Sequence, residues 1–367
     1  MKTLSYKLNI QDVLKRLHSL YEERDQGKIF ACMDIPNKHL EEFKKNNVPG
    51  ICNYPDPSKR ILFWDHVLRE QINLLDDSIP SVYLTEMDQG IYGGILGGDV
   101  RFLCNEANTR WNAGWISSMV PPILNCLEEL INLRFNRNHK WYKQFIQQLK
   151  IFIKGATNKF GISHLGILDG LNFIFELIGA TKTYLSLIDK PELVHNAIDF
   201  AYNLNVEIQN DFFNQVPLLN NGTCSFMVEW IPGRIVMESI DSFHMTSVEY
   251  FEQWGREPVE RIFNKFDGGI LHIHGNGRHL LKAVSTLKGL KAVYLGDDRN
   301  FPPAFNILTK IKAITGTIPL IVELEYKDFC CALEEHNLIG GILYKVKQVP
   351  DIELANHLMD KVWKYQA

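Results

Sequence analysis

The sequence predicts an α/β protein of the (β/α)8 TIM-barrel class, and three observations predict it. Eight short apolar runs of β character recur along the chain. Longer stretches of helical periodicity separate them, and nearly every run ends in an ionisable residue. Strands that alternate with helices pair in parallel, because each return to the same end of a sheet needs a crossover. The 367 residues suit one large domain of this kind, spanning 1–367. An open doubly wound sheet is the competing architecture, but no G-x-G-x-x-G opens a helix after the first run.

Taken in order, residues 1–27 are amphipathic rather than continuously apolar, which predicts an N-terminal helical extension and not a signal peptide. The β-like runs are KIFACMDI (28–35), SVYLTEM (81–87), ISHLGIL (162–168) and RIVMESI (234–240). GILHIH (269–274), KAVYLG (291–296), IPLIVELE (318–325) and GGILYKV (340–346) complete the set. Helical periodicity fills 58–75, 190–216, 247–266 and 278–289. The glycine-rich, aromatic stretch 89–117 reads as a hairpin excursion over the barrel mouth. Residues 221–233 read as a further strand, with Pro232-Gly233 as a hairpin turn into 234–240.

Composition narrows the function classes. With 46% hydrophobic and 22% charged residues the chain falls among ordinary globular domains, and a net charge of −4 offers no general nucleic-acid or membrane surface. No apolar run approaches the roughly 20 residues of a membrane span. Seven cysteines without a CxxC pair fit a reducing compartment, so a cytoplasmic location is expected.

In a barrel of this class the chemistry lies at the C-terminal ends of the strands. Those positions carry Asp34, Asp88, Asp169, Asp241, His272, His274, Asp297, Asp298, Glu323, Glu325 and Lys345. Any one of them alone reads equally well as a cap or a turn former. Together, carboxylates and histidines converging on one mouth shift one another's proton affinities, as acid–base sites require. His272 and His274 lie two apart on a strand and so point to the same side. They either share a divalent metal such as zinc, with a carboxylate and water completing the shell, or are structural histidines bonded to neighbouring groups. Gly-Asn-Gly at 275–277 leaves the strand, placing Asn276 beside them and Arg278 at a helix start. Trp111, Trp115 and Trp230 offer rigid walls for a ligand, or simple packing.

The stretch 162–298 resembles the uroporphyrinogen decarboxylase superfamily, which also holds the corrinoid-dependent methyltransferases. GILDGLNFIFELIGATKTYLSLIDKPELVHNAIDF (166–200) is similar to its segment of two glycines flanking an apolar run before D-x-P-E. MESIDSFHMTSVEYFEQWGREPVERI (237–262) is similar to its strand ending in Asp, and LHIHGNGRHLL (271–281) stands where the family has a His-x-Cys-Gly-Asn turn. TEMDQGIYGGILGGDVRF (85–102) resembles its early strand end and points to Asp88. The resemblance implies a (β/α)8 barrel with its site in the mouth. Two departures stand out. The Arg-rich segment that holds porphyrin carboxylates has no match near residues 20–40. His274 takes the place of the first zinc-binding cysteine, and the last strand offers Tyr344 and Lys345 but no cysteine.

The expected function is therefore methyl transfer on a small substrate, with a separate corrinoid protein carrying the methyl group as methyl-cobalamin. Asp88, Asp241, His272 and His274 are the expected catalytic residues. Trp111, Glu229, Trp230, Arg234, Asn276, Asp298 and Glu323 are expected to bind substrate, and His272 and His274 would be the zinc ligands. The alternative is a cofactor-free decarboxylase of a small carboxylate, not of uroporphyrinogen, with Arg234 or Arg278 holding the carboxylate and a histidine protonating the carbanion. A small-molecule substrate, a corrinoid protein and a second copy in a homodimer are the expected partners, with no nucleic acid and no membrane.

Overall fold

The computed structural model of the protein describes residues 4–88, 90–105, 114–168 and 170–367. Its strands are β1 (Ile29–Met33), β2 (Gly50–Cys52), β3 (Ser81–Val82), β4 (Arg101–Cys104), β5 (Ile116–Met119) and β6 (Gly161–Ile162). They continue with β7 (Gly222–Ser225), β8 (Glu229–Pro232), β9 (Val236–Ser239), β10 (Gly269–Ile273), β11 (Leu290–Leu295), β12 (Leu320–Glu325) and β13 (Ile342–Lys347). Six of them form one parallel sheet in the order β1-β13-β12-β11-β10-β9. The architecture is an α/β fold with a parallel core sheet flanked by helices. Its strands are rich in Val, Ile and Leu because both faces are covered.

Alternation along each strand sorts the two faces. Ile29, Ala31, Val236, Leu271, Val293, Val322 and Ile342 belong to one large apolar cluster with the surrounding helices. Phe30, Cys32, Met237, Ile270, Ala292, Ile321 and Leu343 face the other way and join a second cluster. That cluster is completed by Val13, Leu14, Leu17 and Leu20 of the amphipathic helix Ile10–Tyr21, by Val228 of the turn before β8 and by Trp230 and Ile231 of β8. The Tyr21 hydroxyl ties the two together by donating to Val228 O at 2.8 Å.

Beside β1 the pairing is made by side chains. Asp77 N donates to Ala31 O at 2.9 Å, while the Asp77 and Asp76 carboxylates accept from Ala31 N and Met33 N. Lys7 and Arg16 pair with these fully buried aspartates at 2.7 Å each. Further round, Gly161 N and Ser163 N donate to Pro80 O and Val82 O, joining β6 to β3. His164 N donates to Cys224 O in β7.

Several expectations change on contact with the structure. The run at 81–87 keeps only Ser81 and Val82 as strand and that at 162–168 only Ile162, and Thr85–Met87 is a 3-10 turn. The 221–233 segment is not one strand but the antiparallel hairpin β7–β8, and β9 pairs with β10 instead of β8. Its turn falls at 226–228, where Ser225 Oγ accepts from Met227 N and Val228 N at 3.0 Å. A serine-capped turn carries no Gly-Pro signal, which is why the sequence placed the turn at Pro232-Gly233 instead. The expected excursion after residue 88 yields β4 and β5 as an antiparallel pair, but a third strand, β2, joins them. The helix read over 247–266 breaks at Gly255 into Val248–Trp254 and Arg256–Lys265.

Candidate functional site

Five neighbouring strands build the site. β9 ends at Ser239, and a 3-10 turn Asp241–Phe243 delivers Asp241 and His244. β10 carries His272 and ends just before His274, while β11 carries Tyr294 and leads through Gly296 to Asp297 and Asp298. β12 contributes Glu323, and β13 contributes Lys345 and Lys347. Because the strands are parallel and adjacent, these side chains meet at one end of the sheet.

His274 sits at the centre. Its Nδ1 lies 2.9 Å from Asp298 Oδ1, and its Nε2 lies 3.9 Å from Asp241 Oδ1. Asn276 N donates to the other Asp298 oxygen at 3.3 Å. Burial would raise the Asp298 carboxyl, but the His274 hydrogen bond and charge outweigh it and hold the group below the usual carboxylate range. With Asp298 ionised, Nδ1 of His274 carries the hydrogen and donates it. That fixes the ring and leaves Nε2 towards Asp241 as the exchangeable position. The His274 side chain is 35% exposed and that of Asp241 43%, so a molecule from outside reaches both.

Two more imidazoles flank it. The His272 ring lies 4.4 Å from that of His274 and 5.2 Å from Tyr294, centroid to centroid. Burial, aided by the His274 charge, pulls His272 down to about 4, so it is neutral at neutral pH. His244 is buried, with Nδ1 3.5 Å from Asp241, and burial lowers it against the pull of that carboxylate. Close approach of the chain makes room for both rings. A Cβ on Gly296 would stand 2.8 Å from His272 Nε2, and one on Gly277 would collide with the His244 ring.

Below the histidines a polar chain runs across the next strands. The Tyr294 hydroxyl donates to Glu323, which pairs with Lys347 at 2.6 Å. Burial would raise Glu323, but the Lys347 ammonium holds it below its ordinary value. Lys345 Nζ lies 5.4 Å from the Tyr294 ring centre and 3.5 Å from Glu229.

The structure thus gathers Asp241, His272, His274, Asn276 and Asp298, with Glu323 one layer further along. It places the other expected residues elsewhere. Asp88 accepts from Ser118 N and Oγ at 3.0 and 3.1 Å. Glu229 accepts from Ile79 N, and Trp230 packs against Gly222 with its indole donating to Leu219 O. Arg234 precedes β9, at the opposite end of that strand from Asp241, and pairs with Asp267. Trp111 and Asp169 lie outside the described residues. Arg278 is taken up by Asp297 at 2.6 Å, Gly296 O and Pro302 O, so it braces the exit loop. Reading the sequence missed His244 and Tyr294. Tyr294 could have been found as the inward partner of His272 two strand positions before Gly296, whereas His244 lies in a loop with no periodic signal.

Histidine nitrogens and carboxylate oxygens are donors that zinc accepts. Among the described residues, however, no group of three or more His, Cys, Asp or Glu side chains is arranged to hold a metal ion. Nor, among them, is any helix long and apolar enough to cross a membrane.

No protein-family model matches the sequence. No curated protein matches it either. Among solved structures the chain is similar to a methyltransferase from Methanosarcina mazei, with a TM-score of 0.57 and 13% identity over 98% of this chain and 99% of that one. At that identity the likeness speaks for the fold.

Proposed function

We propose that this protein is a methyltransferase acting on a small substrate at the His274 end of the sheet, with a separate corrinoid protein carrying the methyl group. One observation carries the reading: a half-exposed imidazole oriented by Asp298, its free nitrogen turned towards Asp241. The end-to-end likeness to a methyltransferase supports it. So does an (β/α)8 barrel, which we infer from the parallel sheet, the β3–β6 and β6–β7 contacts and the carboxylate seam at β1.

The open polar mouth suits a reaction partner delivered from outside. A corrinoid held by the partner protein would supply or accept the methyl group there. This chain's residues handle the heteroatom. When its bond to the methyl carbon breaks, the bonding electron pair stays on the heteroatom, and His274 Nε2 supplies the proton that neutralises it. In the reverse direction Nε2 removes that proton. Asp298 fixes the ring in both cases, and the neutral His272 adds no competing charge. Of the two arginines the decarboxylase alternative needs, Arg234 lies at the far strand end and Arg278 is held by Asp297, Gly296 O and Pro302 O, which weighs against that alternative. No step runs through a metal. Zinc at His272 and His274 stands as a separate proposal, and metal analysis of protein purified without chelator decides it.

The test is methyl exchange between free cobalamin and small methylated amines or thiols. Turnover above the uncatalysed rate, lost in His274→Ala, supports the reading. Carbon dioxide released from small carboxylates without corrinoid would replace it with the lyase alternative, and no turnover in either assay would overturn both.

A further inference from the structure

The sequence between Glu129 and Asp169 contains no Asp or Glu, in a chain that carries 43 of them and a net charge of −4. Within that stretch the helix Lys140–Ala156 exposes Lys140, Lys143, Gln147, Lys150 and Lys154. Steps of three and four residues set these side chains in one row, about 21 Å long at about 1.5 Å per residue. The neighbouring cations Arg137 and Lys159 are taken up by Asp211 and Asp65. Among the described residues no carboxylate pairs with the four lysines of the row, so they repel one another unrelieved.

A groove of about 510 Å³ with the opposite sign lies between the start of the helix Ile10–Tyr21 and the helix Ile352–Val362. Asp12, Glu353 and Asp360 line it, all exposed and, among the described residues, paired with no cation. No described lysine or arginine lines it, and Leu75, Met359 and Trp363 supply its apolar part. Row and groove flank one helix, Pro57–Arg69. On one side Ile61 packs so closely on Gly155 of the lysine helix that a Cβ there would stand 2.4 Å from it. On the other, just past the helix end, Leu75 N donates to Asn356 Oδ1 at 2.8 Å and Asn356 Nδ2 donates to Asn73 O at 2.9 Å. Leu62 stands on the helix between them, 58% exposed.

We propose that a second copy of this chain covers this face, the lysine row of each copy seated on the acidic groove of the other. A twofold axis along Pro57–Arg69 sets row over groove twice and brings Leu62 against Leu62. Charge complementarity selects this occupant. A membrane or a nucleic acid satisfies the row but is repelled by Asp12, Glu353 and Asp360. The helix Lys140–Ala156 also exposes no large apolar side chain to enter lipid and no aromatic ring to stack on bases. A copy of the same chain answers both signs at once. The contact uses no residue of the His274 cluster, and the inference does not rest on methyl transfer.

Sedimentation velocity of the full-length protein over about 1–200 μM tests it. At low salt the protein should pass from monomer to dimer and no further, and the Kd should rise about tenfold or more between about 50 and about 500 mM salt. The double variants Lys143→Glu with Lys150→Glu, and Glu353→Lys with Asp360→Lys, should each weaken the dimer about tenfold or more. Mixed in equal amounts they should restore it, because each supplies the charge that the other has reversed. The restored dimer also shows that both are folded. The proposal falls if the protein stays monomeric at about 200 μM and low salt, if it grows beyond a dimer, or if neither variant weakens association. It falls too if the two variants, native by circular dichroism, fail to pair. Binding of phosphatidylglycerol vesicles or of a DNA duplex by the monomer, lost in the lysine variant, would give the row to that partner instead.

Discussion

His274 differs from its two neighbouring histidines in one respect: a carboxylate holds one nitrogen while the other faces open space. If it moves the proton, His274→Ala should cut turnover about a hundredfold or more with the fold intact by circular dichroism. Asp298→Asn keeps the shape but loses the charge that orients the ring. It should lower kcat up to about a hundredfold with little change in KM, read in the same assay. A different histidine contributes to acid stability. His164 is fully buried, between Leu165 O and Ser225 Oγ, and burial lowers it from 6.5 to about 4. A depressed histidine takes up its proton more readily when unfolded, so its contribution is whole above pH 6.5 and lost as the pH falls towards 4. The loss should be roughly 3 kcal/mol across that window. Urea unfolding at pH 7 and pH 5 should show the drop, and His164→Gln should make it smaller, with the similarly depressed His272 still contributing.

At the scale of elements, much of the arrangement was legible in the sequence because β9 to β13 follow strand periodicity and each carries a polar residue at its end or within two residues beyond it. His272 and His274 pointing the same way follows from that periodicity alone. What escaped was carried by loops and by neighbours across strands. Glu229 and Trp230 read as substrate-binding residues of a single strand over 221–233, yet a turn capped by Ser225 folds their segment back as the second arm of a hairpin. Arg234 looked close to Asp241 in sequence, but a strand separates them and puts them at opposite ends. The loop after β11 offers its own test. Gly296→Ala would set a methyl group 2.8 Å from His272 Nε2 and 3.4 Å from His274 Nδ1. It should destabilise the protein by about 1–3 kcal/mol in denaturant unfolding and depress activity more than that stability loss explains.

Across the whole molecule, the edge of the sheet at β1 is met by two buried aspartates in place of a strand, and two cations from the N-terminal segment neutralise them. Arg16→Ala strands the fully buried Asp77 and should cost about 3–5 kcal/mol by urea denaturation. Lys28→Ala, which breaks a pair with a 43% exposed lysine, should cost about 1 kcal/mol or less. The contrast separates a charge that completes the sheet from one that merely decorates it.

The register of β1 against β13, Ile29 beside Ile342 through Met33 beside Val346, also sets a timetable. During synthesis the first strand emerges with nothing to pair with, and its partner follows more than three hundred residues later. At about 5–20 residues per second that wait lasts on the order of tens of seconds. For that interval one edge of β1 is unpaired, and a growing chain is exposed to wrong partners before the parallel sheet has its last member.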